Sequence, residues 1–127
     1  RIKTEYQHKD IIHSGFISDE ELVALYKNAL CFVMPSFEEG FGIPLLEAMA
    51  CGCPVVSSNA ASLPEVGGNA AIYFDAHDPT DIEHKIDMVL KSEKIRANLI
   101  EKGQKRYKQF SWEKLAKQTL EVYERCV

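Results

Sequence analysis

Leu30-Cys31-Phe32-Val33-Met34-Pro35-Ser36-Phe37-Glu38-Glu39-Gly40-Phe41-Gly42-Ile43-Pro44-Leu45-Leu46-Glu47 holds a strand, a loop and a helix start in succession. The apolar run 30–34 reads as a strand buried on both faces, ended by Pro35, which cannot donate to a sheet ladder. A glycine-bearing loop follows. Pro44 is well placed as the first residue of a helix, where its missing N–H costs nothing, and that helix reaches Cys51 and stops at Gly52. Strand, glycine loop and helix in this order open a crossover in a parallel sheet.

The flanking sequence repeats the alternation. Ile11-Ile12-His13-Ser14-Gly15 reads as a short strand running into a loop. Ser18-Asp19-Glu20-Glu21 forms a capping-box pattern, with Ser18 as N-cap and Glu21 three residues on. A helix to about Ala29 follows, with Leu22, Leu25, Tyr26 and Ala29 on one face at helical spacing. Downstream, Pro54-Val55-Val56-Ser57-Ser58 and Ala71-Ile72-Tyr73-Phe74 read as strands, and Leu63 to Val66 as one helical turn before Gly67-Gly68. Asp78 starts a helix to about Lys91, a second covers 93–108 with Gly103 as its weak point, and Ser111 caps a last one from Trp112 to Arg125. Strands alternating with helices predict an α/β fold, a Rossmann-like parallel sheet flanked by helices. Ligands of such sheets bind beyond the carboxyl ends of the strands, which directs attention to loops 15–18 and 35–42.

Composition narrows the function. A chain of 127 residues suits one domain. With 46% hydrophobic and 27% charged residues it has ordinary globular usage, and a formal charge of −4 gives no footprint for nucleic acid. No apolar run approaches the roughly 20 residues of a membrane span, and Arg1-Ile2-Lys3-Thr4-Glu5 does not read as a signal peptide. Cys31, Cys51, Cys53 and Cys126 form no disulfide framework, and a lone Cys-x-Cys is a weak metal signal, so reduced, partly buried thiols are expected.

The chemistry gathers between Glu39 and Glu47. Gly40 and Gly42 let backbone amides approach a ligand closely, and with a helix N-terminus near Ile43 or Pro44 those amides suit an anion such as a diphosphate. A carboxylate accepts two hydrogen bonds side by side, so Glu39 and Glu47 can each hold a vicinal diol of a ribose or hexose. The plainer reading makes Glu47 a helix-dipole partner and Glu39 a solvated loop charge. Amides for a diphosphate between two diol-binding carboxylates describe a nucleotide-sugar pocket.

Glu39 and Glu47, with Gly-Phe-Gly between them and Glu-Ala-Met-Ala-Cys-Gly-Cys-Pro-Val-Val from Glu47 on, resemble the paired-glutamate signature of glycosyltransferase family 4. The resemblance extends to Gly15-Phe16-Ile17-Ser18-Asp19-Glu20-Glu21-Leu22, Leu63-Pro64-Glu65-Val66-Gly67-Gly68 and Phe110-Ser111-Trp112-Glu113. It implies the C-terminal, donor-binding part of a retaining GT-B-fold enzyme, with residues 1–127 a single partial domain and the N-terminal acceptor domain absent. Glu39 would hold hydroxyls of the transferred sugar at the catalytic position. The amides of Gly40, Phe41 and Gly42 would meet sugar and phosphate, Ile43, Pro44 and Leu45 would continue the phosphate and ribose contacts, and Glu47 would bind the ribose. Ile17 would meet the base through its backbone. The donor would be a UDP- or GDP-sugar, with no metal and no other cofactor, because amides and basic side chains neutralise the leaving diphosphate.

The same resemblance implies a carbohydrate or lipid-linked acceptor, a role in polysaccharide or glycolipid biosynthesis, and a cytoplasmic enzyme, with peripheral membrane association of the full-length protein left open. The family's diphosphate-binding Arg and Lys lie upstream of the matching segment, and Arg1, Lys3 and Lys9 do not stand in that context. Residues 1–127 alone are therefore expected to bind a donor without turnover. The competing reading is a non-catalytic Rossmann-like nucleotide-binding or interaction module. Among lesser candidates, His13 reads as a satisfied structural histidine, and Ser57, Ser58 and Asn59 as cleft-lining or loop-bonding residues. The apolar stripe Trp112, Leu115, Ala116, Thr119, Leu120 and Tyr123 reads as core or as a face meant for the other domain.

Overall fold

Ser18 opens the first element of the described residues as its sequence demands. In the computed structural model, which describes residues 10–126, helix α1 spans Asp19–Asn28. The Ser18 side chain accepts from the Glu21 amide while Glu21 returns a bond to the Ser18 amide, completing the capping box. Strand β1 (Phe32–Met34), helix α2 (Ile43–Ala50), strand β2 (Val55–Ser58), helix α3 (Leu63–Gly67) and strand β3 (Ala71–Phe74) follow. Helices α4 (Pro79–Lys91), α5 (Glu93–Arg106) and α6 (Trp112–Arg125) complete the chain, with short 3-10 turns at Gly68–Ala70 and Tyr107–Gln109. Asp78, Ser92 and Ser111 cap α4, α5 and α6 through their side chains.

The three strands form one parallel sheet in the order β1-β2-β3, with Val33 opposite Val56 and Val56 opposite Ile72. Side chains alternate across it. Phe32, Met34, Val55, Ala71 and Tyr73 join Leu45, Ala48, Met49 and Leu63 on one face, with Tyr26 from α1. Cys31, Val33, Val56, Ile72 and Phe74 join Ile82, Ile86 and Val89 of α4 and Ile95 and Leu99 of α5 on the other. Helices therefore cover both faces, the doubly wound arrangement expected of a parallel sheet. Among the described residues, no helix is long and apolar enough to cross a membrane.

Four expectations are corrected. Residues 11–15 form no strand, and Ile12 is 90% exposed; no described strand pairs with the outer edge of β1, so two isoleucines there have no ladder to join. For the same reason β1 is shorter than the apolar run 30–34, and only Met34 is fully buried within it. In α1, Tyr26 is buried and Leu22 half-buried, whereas Leu25 and Ala29 face outward. Gly103 is not a weak point. A Cβ there would lie 3.1 Å from Met49 Cγ and 3.3 Å from Met49 Cβ, so the glycine lets α5 close on α2.

The cysteines are free thiols, Cys53 buried and Cys126 exposed. Burial pushes the Cys53 thiol up to about 11, and burial likewise pushes the Tyr73 phenol up to about 12. Both groups hold their proton more tightly in the fold than at their ordinary values of 9.0 and 10.0. Their contribution to stability is whole below pH 9 and is lost as pH rises from 9 towards 12. Urea midpoints should accordingly fall through that window, and Tyr73→Phe should remove tyrosinate absorbance that develops above the range of free tyrosine. A difference titration between parent and Tyr73→Phe centred at the ordinary value would refute this.

Candidate functional site

Met34 delivers the chain to the carboxyl edge of the sheet, where Pro35 ends the strand and the loop to α2 begins. Two serines hold that loop from below. The Ser58 hydroxyl, fully buried at the end of β2, donates to the Ser36 carbonyl at 2.6 Å. Ser62, just ahead of α3, donates to the Glu39 carbonyl at 3.1 Å. Ser57 is also fully buried and donates to the Ser58 carbonyl. Of the two readings of these serines, loop bonding is the one observed. His13 is exposed rather than built into the structure.

The loop enters α2 through Gly42, which is buried and left-handed at φ 93°. A Cβ at that position would lie 2.5 Å from Leu63 Cδ2. Gly42 offers no side chain as a cap, unlike the residues opening α1, α4, α5 and α6. The first turn of α2 thus keeps its N-terminal dipole without a capping oxygen. Gly40 differs from Gly42. A Cβ there would meet no atom within 4 Å, and its amide donates to Glu39 Oε1 at 3.2 Å. A ligand oxygen taking the Gly40 amide would displace that carboxylate.

Glu39 is half-buried and Glu47 exposed. Glu47 is the fifth residue of α2, beyond the first turn in which a carboxylate gains from the helix dipole, so the plainer reading of it loses force. Its Oε2 accepts from the Tyr26 hydroxyl at 3.4 Å, a long bond across from α1. Burial, and then the charge of Glu47, push the Tyr26 phenol up to about 12. Tyr26 therefore stays a neutral donor to Glu47 at any physiological pH. Sequence reasoning placed Tyr26 only on an apolar face; the available signal was its hydroxyl, which a buried tyrosine must satisfy.

The remaining candidates divide. Phe41 and Ile43 are exposed at the loop and Pro44 is half-buried; the Leu45 side chain is fully buried in the core, and its amide donates to the Gly42 carbonyl at 3.0 Å. Ile17 is half-buried ahead of α1, and no hydrogen bond among the described residues joins it to the 39–47 stretch. Phe37, at the loop's start, packs against His77 with centroids 4.9 Å apart. Arg106, not singled out from sequence, and Phe110, quoted there only as part of a turn, flank the other side. Phe41 meets Phe110 edge to face at 5.8 Å and 80°, and Arg106 lies over Phe110 at 4.9 Å. A shallow hollow between β3 and α5, lined by Ile72, Ile95, Asn98 and Lys102, shares no residue with this loop. It is broad and open rather than a concave pocket that would enclose a ligand. Arg1, Lys3 and Lys9 lie outside the described residues.

Comparison with known proteins supplies the context. A family model described as glycosyl transferases group 1 matches residues 1–106. O-antigen chain mannosyltransferase B of Escherichia coli is 46% identical over 113 residues, covering 89% of this chain and 30% of that protein. The serotype-specific mannosyltransferase WbdA of Escherichia coli is 39% identical over 117 residues, covering 92% of this chain and 14% of that protein. Among solved structures, sucrose-phosphate synthase from Thermosynechococcus elongatus superposes with a TM-score of 0.77 at 30% identity, covering 88% of this chain and 29% of that one. The chain thus spans less than a third of each of these relatives.

Proposed function

This chain belongs to the glycosyl transferases of group 1, and from that premise we propose that it forms the donor-binding part of a GT-B enzyme that moves a sugar from a nucleotide-sugar to an acceptor. The observation that carries the reading is the αL entry of Gly42 into an uncapped α2 at the carboxyl edge of a parallel sheet, with Glu39 before it and Glu47 after it. The Ile43 amide at the helix start and the loop amides of Gly40 and Phe41 take the diphosphate; Pro44 has no N–H, and the Leu45 amide already donates to the Gly42 carbonyl. Glu47, held by Tyr26, takes the ribose hydroxyls, and Glu39 takes hydroxyls of the sugar. Leu45, with its side chain in the core and its amide on the Gly42 carbonyl, anchors the helix start beneath the ligand, and Ile17 lies beside the base.

Transfer proceeds with retention, and the role of Glu39 is to hold the sugar rather than to attack it. No metal is required by this reading, since amides stabilise the leaving diphosphate as charge develops on it. Two relatives named as mannosyltransferases make mannose the first sugar to test, and the name of one points to polysaccharide synthesis. The acceptor is a carbohydrate or a lipid-linked saccharide held by a second domain.

Calorimetry with GDP, UDP and GDP-mannose tests the reading. One nucleoside diphosphate should bind without added metal, and chelation should leave the affinity unchanged. Glu47→Gln should weaken it by about 1–3 kcal/mol, the scale of a charge-assisted hydrogen bond. Unaltered affinity in Glu47→Gln removes Glu47 from the site. Absence of binding by the parent protein favours a non-catalytic module.

A further inference from the structure

Arg106 is the last residue of α5, yet its guanidinium is spent on another element. Its Nε donates to the Val66 carbonyl at 2.9 Å and its Nη2 to the Glu65 carbonyl, two acceptors at the end of α3. Nη1 donates to the Gln109 side chain. Three of the five N–H groups of Arg106 are thus committed within the fold, one from each nitrogen. The fit is close: a Cβ on Gly68 would lie 3.3 Å from Arg106 Nε.

The same guanidinium covers the ring of Phe110, which is held by a 3-10 turn through its amide to the Tyr107 carbonyl at 3.1 Å. Phe110 in turn meets the half-exposed ring of Phe41, between Gly40 and Gly42. Ser62 and Leu63, at the start of α3, support the same loop from beneath. Arg106 therefore ties the end of α3 to an aromatic prop on the outer side of the loop.

We propose that Arg106 and Phe110 are positioning residues that hold Phe41, and with it the amides of Gly40 to Gly42, in the geometry that receives a nucleotide diphosphate. The proposal rests on the donor-site reading of this loop. An edge-to-face pair removes the freedom of a glycine-flanked ring, so ligand binding need not order it. Phe110 is followed directly by Ser111, the cap of α6.

Amide hydrogen exchange and ligand titration on the protein at its natural length test this. Phe110→Ala should speed exchange across residues 37–42 by about tenfold, the scale of a lost aromatic pair, while β2 and α4 exchange as before. GDP or UDP affinity should fall by a similar factor, while the uncharged nucleoside, which does not touch the loop amides, binds unchanged. Global loosening would weaken both ligands alike. Phe110→Tyr should restore both readouts, and Arg106→Met should reproduce the Phe110→Ala effect in part. If Phe110→Ala does not fold, Phe110→Leu serves, keeping bulk without the ring quadrupole. Wild-type exchange at 37–42 in whichever of these variants folds overturns the proposal, as does equal loss of nucleoside and nucleoside diphosphate. Failure of the unmodified protein to bind any nucleoside diphosphate counts instead against the donor-site reading; the exchange measurement still decides whether the stack holds the loop.

Discussion

Gly42→Ala should lower stability by about 2–6 kcal/mol and weaken nucleotide binding, whereas Gly40→Ala should leave stability within about 0.5 kcal/mol. The two glycines look alike in the sequence but answer to different constraints. Gly42 sits at φ 93°, where a side chain costs about 1–3 kcal/mol in backbone strain. Its new methyl would also reach 2.5 Å from Leu63 Cδ2, and Leu63 is fully buried, so the leucine cannot swing aside into solvent. Overpacking of that kind adds about 1–3 kcal/mol. Gly40 is exposed, its φ is not left-handed, and a Cβ would meet nothing within 4 Å. Nothing in the fold asks for glycine there. If its amide is approached by a diphosphate or sugar, Gly40→Ala will weaken that ligand while thermal melting stays put. Thermal unfolding and calorimetry on both variants check this, and equal stability of the two contradicts the account of Gly42.

Local signals were legible where a residue's chemistry is satisfied by near neighbours in the chain. Ser18 with Glu21, Asp78 and Ser111 each marked a helix start that the structure reproduces, because a cap bonds amides two or three residues away. Val55-Val56 and Ala71-Ile72-Tyr73-Phe74 were legible as strands because both faces of the sheet are covered. Residues 11–15 misled because β propensity is expressed only against a paired neighbour. Gly103 misled because its reason lies on α2, at Met49.

The site divides along the same line. The loop between β1 and α2, its glycines and the placing of Glu39 and Glu47 on either side of the helix start followed from order along the chain. Tyr26 on Glu47, Ser62 on the Glu39 carbonyl and Arg106 on the end of α3 join residues 21, 23 and 40 or 41 positions apart. No periodicity reports such pairs. The stripe on α6 shows the converse. Its periodicity was read correctly, yet Trp112, Leu115, Leu120 and Tyr123 are all exposed, since amphipathicity states that a face needs cover without stating where the cover is.

Glu39→Ala should reduce kcat by about 10²–10³-fold and change nucleoside diphosphate affinity by less than about threefold. The split follows from what each carboxylate holds in the proposed complex. Glu47 meets a part of the donor that does not react, so its loss weakens binding of donor and nucleotide alike. Glu39 meets the sugar beside the breaking bond, where positive charge and a changed ring geometry develop, so its loss is felt in the transition state. The substitution should not dismantle the loop: the bond from Ser62 goes to the Glu39 carbonyl, which alanine retains, and only the contact from the Gly40 amide to Oε1 is lost. Freed of that contact, the Gly40 amide becomes available to the ligand, which keeps nucleotide affinity from falling. Glu39→Gln, which preserves shape and hydrogen bonding without the charge, should recover part of the rate if position matters and none if charge alone matters. The assay is transfer from radiolabelled GDP-mannose or a UDP-sugar to acceptor by the protein at its natural length, with calorimetry of GDP and UDP alongside. A fully active Glu39→Ala enzyme removes the residue from the reacting centre; a rate and an affinity that fall together assign it to donor binding instead.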